Sequence, residues 1–194
     1  MEDLLPRPQP HLTGRLLAHG FLPDERENLV IGRVSVMDQD PKPPPGVAIR
    51  QVSSRRDTDR MAGLLTEVAG EDQSFLGDLF FHDRTANPEN VVLLVVEADQ
   101  QVVSTARLNL ESPSSFASLW AGSTHPTWRG RGIYRALVAH RARITAERRY
   151  PYLQVDATDN SRRILERLGF LTASITTPYI WTPPASSRAG ARRQ

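Results

Sequence analysis

A chain of 194 residues, 39% of them hydrophobic, is long enough for one domain with a buried core and a short appendage. It contains no cysteine, which excludes disulfides, thiolate metal sites and cysteine nucleophiles, and no apolar run approaches the length of a membrane span. Net charge is only +2, yet Lys42 is the sole lysine, and seven arginines against one acid, Glu147, fall between Arg129 and Arg149. That is a local anion-attracting field rather than a uniformly basic protein.

The first residues, "MEDLLPRPQPHLTG", lack the basic-then-apolar order of a signal peptide, so a cytoplasmic protein is expected. The preference for arginine over lysine is what a GC-rich bacterial genome would produce. Residues 1–45 read as an N-terminal appendage ending in a linker. It holds a short helix in "LTGRLLAHGF", a strand in "LVIGRVSV", and then "DQDPKPPPG", whose prolines sustain neither helix nor central strand. "GRLLAHGF" at 14–21 echoes "ILERLGF" at 164–170: each ends a helix on glycine and enters a strand on phenylalanine. A generic helix–glycine–strand junction accounts for the echo. If it is instead a repeat, residues 1–45 are the tail of a second, degenerate copy of the domain.

After the linker, "GVAIRQV" alternates as a strand. Residues 54–70 carry a helical stripe at Met61, Leu64, Leu65 and Val68, and "EDQSFLGDLFFHD" continues as a shorter helix. "NVVLLVVEADQQVVSTARLNLE" reads as a hairpin and "FASLWAGST" (116–124) as the next strand. A glycine loop, a helix from Ile133, the strand "PYLQVDA" and the helix "DNSRRILERLG" follow, with Ser161 as the expected helix cap. "FLTASITTPYIWTP" reads as a final hairpin, and residues 184–194 as a disordered tail. The order is mixed α/β: an antiparallel front, then a βαβ unit that implies parallel pairing.

"RGRGIY" sits between a strand and a helix, where unpaired amides and the positive end of the helix dipole meet an anion. Gly130 and Gly132 allow close backbone approach, and Arg129 and Arg131 add forked donors. A Walker A loop needs a Gly-Lys-Ser/Thr ending that is absent, and the three-glycine dinucleotide pattern also fails. What remains is Arg/Gln-x-x-Gly-x-Gly/Ala, carried by Arg129, Gly132 and position 134.

With His125-Pro126 ending the strand before the loop, Leu137 in the helix and "ERLGF" after the next strand, residues 46–183 resemble the GNAT superfamily of acetyl-CoA-dependent N-acyltransferases. The resemblance implies a central mixed sheet with antiparallel N-terminal strands, a splayed parallel βαβ half, and helices on both faces. It implies that Gly122, Ser123 and Thr124 border the pantetheine of acetyl-CoA, the acyl donor. Arg129, Gly130, Arg131, Gly132, Ile133 and Tyr134 supply the pyrophosphate loop, with the helix arginines near the 3′-phosphate. The implied reaction is acetyl transfer to a primary amine of a small molecule or peptide, by direct attack in a ternary complex. Homodimers are common in the family.

Four positions depart from the family pattern. Tyr134 stands where a small residue is usual, and would narrow the loop or turn its ring outward. Ser118 and Trp120 occupy the strand positions of the usual general-base glutamate, and Leu165 that of the tyrosine acid. An alkylamine near pKa 10 must lose a proton before attack, and a general base typically adds about 10²–10⁴-fold. Positioning of amine and thioester supplies more. Asp156, a candidate base, equally reads as a helix cap or ion-pair partner, and Tyr179, a candidate acid, as a core aromatic. Tyr152 shares a strand face with Asp156. His140 falls on the helix's apolar stripe and His125 at a strand end, so both read as structural, and five histidines without cluster spacing give no metal site. A non-catalytic acyl-CoA-binding protein is the alternative. Arginines without interleaved aromatics argue against a nucleic-acid partner.

Overall fold

The computed structural model describes residues 11–37, 40 and 42–182; the expected C-terminal tail lies outside the described residues. In chain order the elements are α1 (Leu12–Ala18), β1 (Phe21–Pro23), β2 (Glu27–Arg33), β3 (Ala48–Gln51), α2 (Arg55–Ala69) and α3 (Phe75–Ala86). β4 (Val91–Ala98), β5 (Gln101–Leu110), β6 (Phe116–Thr124), α4 (Ile133–Glu147), β7 (Tyr152–Ala157), α5 (Asp159–Arg167), β8 (Phe170–Thr176) and β9 (Tyr179–Trp181) follow. Two compact units divide them: Asn28–Ser174, and Met1–Glu27 with Ile175–Gln194.

The larger unit is built on a seven-stranded sheet in the order β3-β4-β5-β6-β7-β2-β8. β3 to β6 pair antiparallel in sequence order, and β6 meets β7 in parallel. The continuous apolar run Val91–Val96 is buried at every residue, as a strand covered on both faces must be. Val92, Leu94 and Val96 face one cluster with Leu137 and Val138 of α4, whereas Val91, Leu93 and Val95 face another with Met61 of α2 and Phe80 of α3. Strand alternation thus divides one apolar segment between two helical layers. The expected mixed sheet with helices on both faces is the observed fold.

Two expectations about the chain ends are corrected. The final hairpin does not form: β8 lies beside β2 in the large sheet, while β9 pairs antiparallel with β1, Phe21 opposite Trp181 and Pro23 opposite Tyr179. The reason is competition. β2, with Val30 fully buried, takes the place beside β7 over Asn28–Arg33, which a C-terminal hairpin would otherwise fill. The strand anticipated over "LVIGRVSV" therefore belongs to the central sheet, and its end Val34–Val36 turns into a 3-10 helix. The cap of α5 is Thr158, whose hydroxyl accepts from the Ser161 amide, so Ser161 lies inside the helix it was expected to cap.

The start of α2 is fixed by charge. The Ser54 hydroxyl accepts from the Asp57 amide, and the Asp57 carboxylate accepts in return from the Ser54 amide, a reciprocal capping box. The same carboxylate receives Arg50 of β3 at 2.7 and 3.1 Å, and Arg50 reaches Glu97 of β4 at 2.7 Å. Hydrogen bonding to Arg50 holds Glu97 down at about 2 and Asp57 well below the usual carboxylate range.

Arg141 of α4 is the largest fully buried side chain, 1% exposed. Its guanidinium donates to the carbonyls of Leu137 and Arg107, at 3.2 and 3.4 Å, and burial lowers its pKa to about 10. Carbonyl dipoles compensate a desolvated cation poorly. Arg141→Met should therefore raise stability by about 1–3 kcal/mol in urea denaturation at neutral pH; a loss of stability would mean that the two carbonyl bonds outweigh the desolvation.

Candidate functional site

The parallel ladder between β6 and β7 is short. Phe116, Ala117 and Ser118 pair with Tyr152, Leu153 and Gln154, and beyond them the strands separate although β6 runs on to Thr124 and β7 to Ala157. A bulge helps to turn β6 away: the register against β5 shifts between Thr105 and Arg107, opposite Ala121, which holds φ +47°. The Thr105 hydroxyl donates to the Ala121 carbonyl at 2.9 Å and stabilises that conformation. At the strand end, the Ser104 hydroxyl donates to the Ser123 carbonyl at 2.6 Å and lies 2.8 Å from the Thr124 hydroxyl. The Arg129 Nε donates to the Thr124 carbonyl at 3.0 Å. Ser123, Thr124 and Arg129 are thus held together where the strands part.

The glycine loop opens α4 as the sequence requires. Gly130 and Gly132 have φ +73° and +85°, and a Cβ at either would meet nothing within 4 Å. Gly132 is the N-cap residue, and no side chain caps the helix, so the first-turn amides are free to bind an anion. Ile133 contributes its backbone only, because its side chain is in the core. Beside the loop lies a cavity of about 430 Å³ lined by Lys42, Arg131, Arg135 and Ala139 among others, with Lys42 paired to Asp40 at 3.1 Å. The Arg131 guanidinium stacks 4.5 Å above the Trp128 ring, which fixes its position.

A model of the acetyltransferase (GNAT) family matches residues 58–170. The chain belongs to the GNAT acetyltransferase family. No curated protein sequence matches it. Among solved structures, it is similar to a GCN5-related N-acetyltransferase from Kribbella flavida, with 18% identity and a TM-score of 0.64; the match covers 90% of this chain and 65% of that one. A GCN5-related N-acetyltransferase from Sphaerobacter thermophilus gives 16% identity and a TM-score of 0.65, covering 88% of this chain and 56% of the other. A predicted acetyltransferase from Clostridium acetobutylicum, solved with acetyl-CoA, gives 18% identity and a TM-score of 0.57, covering 66% of this chain and 92% of that protein. The chain therefore spans about two thirds or less of the length of the first two.

Within this GNAT sheet, successive residues of β6 meet different surroundings. Gly122 faces α4, where its Cβ position lies 3.5 Å from the Tyr134 ring. Trp120 and Ala121 line a second cavity of about 390 Å³, with Leu65, Leu76, Phe80, Arg107 and Asn109. Arg107 is already engaged there: it pairs with Asp83 at 2.8 Å, donates to Asn109 at 2.7 Å, and lies 5.8 Å over the Phe80 ring. Sequence reasoning missed Arg107 and Asn109; the polar residues alternating through "STARLNL" were the available signal.

The remaining candidates divide by location. Tyr134 turns its ring inward, packed against the core, and burial raises its pKa against the opposing charge of Arg141. Asp156 sits half-buried near the end of β7, opposite Leu29 of β2. Tyr179 is on the β1–β9 ribbon, opposite Pro23, outside the seven-stranded sheet. Leu165 is fully buried, and Tyr152 stacks on Phe116 at 5.3 Å. Trp120 donates to the Ser118 hydroxyl at 2.8 Å, and Ser118 to Glu111 at 2.7 Å, a chain that sequence reasoning also missed. His125 is structural as expected: it caps the 3-10 turn Pro126–Trp128 and contacts Glu67 at 3.0 Å.

The arginine field is narrower than its sequence density implied. Only Arg131 and Arg135 of the cluster line the loop cavity. Arg141 is buried, Arg143 pairs with Glu147, and Arg148 with Glu89. Helical periodicity turns residues of one charge to different faces, so their density does not measure the field at one site.

Proposed function

We propose that this GNAT protein transfers an acetyl group from acetyl-CoA to an amine. The observation that carries the reading is the conjunction of an uncapped, glycine-opened α4 with the parting of β6 and β7 beside it. The open space over Gly130 and Gly132 suits a pyrophosphate, with Arg131, Arg135 and Lys42 as cationic neighbours. Acetyl-CoA supplies a thioester whose carbonyl is open to attack and whose sulfur leaves as a thiolate. The protein's task is then to align the amine, exclude water and move one proton from nitrogen toward sulfur.

The second cavity offers an apolar lining of Leu65, Leu76, Phe80 and Trp120, which suits an amine carried on an apolar or aromatic body. Asp156, near the separated end of β7, is the proposed base. Asp156→Asn should lower kcat by about 10²-fold and flatten the rise of rate with pH; an unchanged profile removes Asp156 from that role. Acetyl-CoA titration by calorimetry tests the donor directly, and absence of binding overturns the proposal. Arg131→Ala and Arg135→Ala should each weaken binding about tenfold, with the loss shrinking at high salt.

A second reading, an acyl-CoA-binding protein without catalysis, is favoured by one specific observation. Neither Ser118, Trp120 nor Leu165 can move a proton in the usual family manner, and Ser118 and Leu165 are buried. Free-thiol release across a panel of amines separates the readings: tight binding of acetyl-CoA with no amine-dependent release selects the second.

A further inference from the structure

Two sections of the chain repeat one pattern. α1, Gly20, β1 and β2 align without a gap on α5, Gly169, β8 and β9. Leu16 falls on Leu165, Phe21 on Phe170, and Val30–Gly32 on Tyr179–Trp181. Both glycines hold a left-handed φ, +79° and +92°. The second strand of each set pairs with the other set's first strand: β2 lies between β7 and β8, and β9 pairs with β1. The sequence echo is thus matched by a reciprocal exchange of strands, which a generic helix–strand junction does not produce.

The two sets differ in what covers them. Leu165 and Phe170 are 0% and 1% exposed, sealed within a complete acetyltransferase sheet. Their counterparts Leu16 and Phe21 are only half-buried, and no described residue of 11–27 or 175–182 is buried: every one is exposed or half-buried. Leu12, Leu17, Leu22, Ile175, Ile180 and Trp181 of these segments are large apolar side chains left in water. A helix and a two-stranded ribbon with no core are not stable by themselves.

We propose that α1, β1 and β9 complete a second acetyltransferase-type sheet, with β9 seated between that sheet's last parallel strand and β1, as β2 is seated between β7 and β8. The strand that flanks β2 is β7, which precedes α5; the strand that would flank β9 precedes α1 in the second domain. A second copy of this chain does not offer the place, because its β7 already carries β2 from Asn28 to Arg33. The solved relatives agree in length. Those matched over about nine tenths of this chain continue far beyond the match, whereas the shorter acetyltransferase, matched almost entirely, covers only two thirds of it.

Hydrogen exchange, with molar mass from light scattering, tests the proposal. In the 194-residue chain, β2 amides should be protected while those of 21–23 and 179–181 exchange at nearly coil-like rates. Fusing residues 46–159 directly ahead of His11, the junction set by the repeat register, supplies a second sheet lacking its last strands. In that monomeric fusion the β9 amides should slow by at least about tenfold. Leu16→Asp should leave the melting of the 194-residue chain unchanged and abolish the new protection in the fusion. Protection of the ribbon in a monomer of the 194-residue chain would overturn the proposal by showing the ribbon complete. Protection that arises only at dimer mass would assign the ribbon to a second copy. A fusion whose added sheet stays unfolded, or folds and leaves β9 unprotected, also overturns it.

Discussion

Gly132→Val should weaken acetyl-CoA binding by about 100-fold in calorimetric titration, while the protein remains folded. Gly132 holds φ +85° as the residue that opens α4. A β-branched side chain is an outlier in that region, and a left-handed L-residue costs roughly 1–2 kcal/mol. Nothing packs over Gly132, so the substitution removes no core contact. Its effect falls on the first-turn amides, either by rotating them away from the anion or by placing methyl groups in the space the anion needs. Gly132→Ala has the same backbone cost and less bulk, so a clearly weaker effect for alanine would show that steric exclusion dominates. Affinity within a few fold of wild type for both variants would mean that the loop does not hold the donor.

Asp57→Ala is expected to cost about 3 kcal/mol in urea denaturation, the largest stability loss anticipated from a single polar side chain here. It removes the reciprocal cap of α2 and the link from Arg50 to that helix, leaving Arg50 paired with Glu97 of the neighbouring strand β4. The pH dependence follows from the direction of the shifts. Glu97 and Asp57 both titrate below their ordinary values when folded, so the unfolded chain takes up protons first as pH falls. The network's contribution is therefore complete above about pH 5 and is lost progressively toward pH 2. In Asp57→Ala the acid limb of that curve should be shallower; an unchanged slope would show that other carboxylates control acid unfolding.

Much of this architecture is legible in residue order because its causes are local. The buried run at 91–96 demands two covered faces, the glycines at 130 and 132 demand a turn of left-handed residues, and Ser54 with Asp57 marks a helix start. The partners of β2, β8 and β9 are not legible in that way. Turn chemistry at Thr177-Pro178 favours a hairpin, but strand partners are chosen by long-range competition that no local pattern records. The site divides along the same line. Glycines that need open space are read from spacing, whereas the inward turn of Tyr134 depends on its packing against a core assembled from distant parts of the chain. Arg107 and Asn109 entered no motif because a cavity between helices and sheet is assembled from residues far apart in the chain.

The cavity beside the glycine loop and the one at Trp120 share no lining residue, which bears on kinetic order. Trp120 and Ala121 line one, and Arg131, Gly132 and Arg135 the other, so neither cavity is reached through the other's lining. With the donor at α4 and the amine in the Trp120 cavity, as proposed, the two would load in either sequence, and the thiol product would leave the acceptor cavity unobstructed. Initial-rate plots should intersect rather than run parallel, and free coenzyme A should compete with the acyl donor while acting noncompetitively toward the amine.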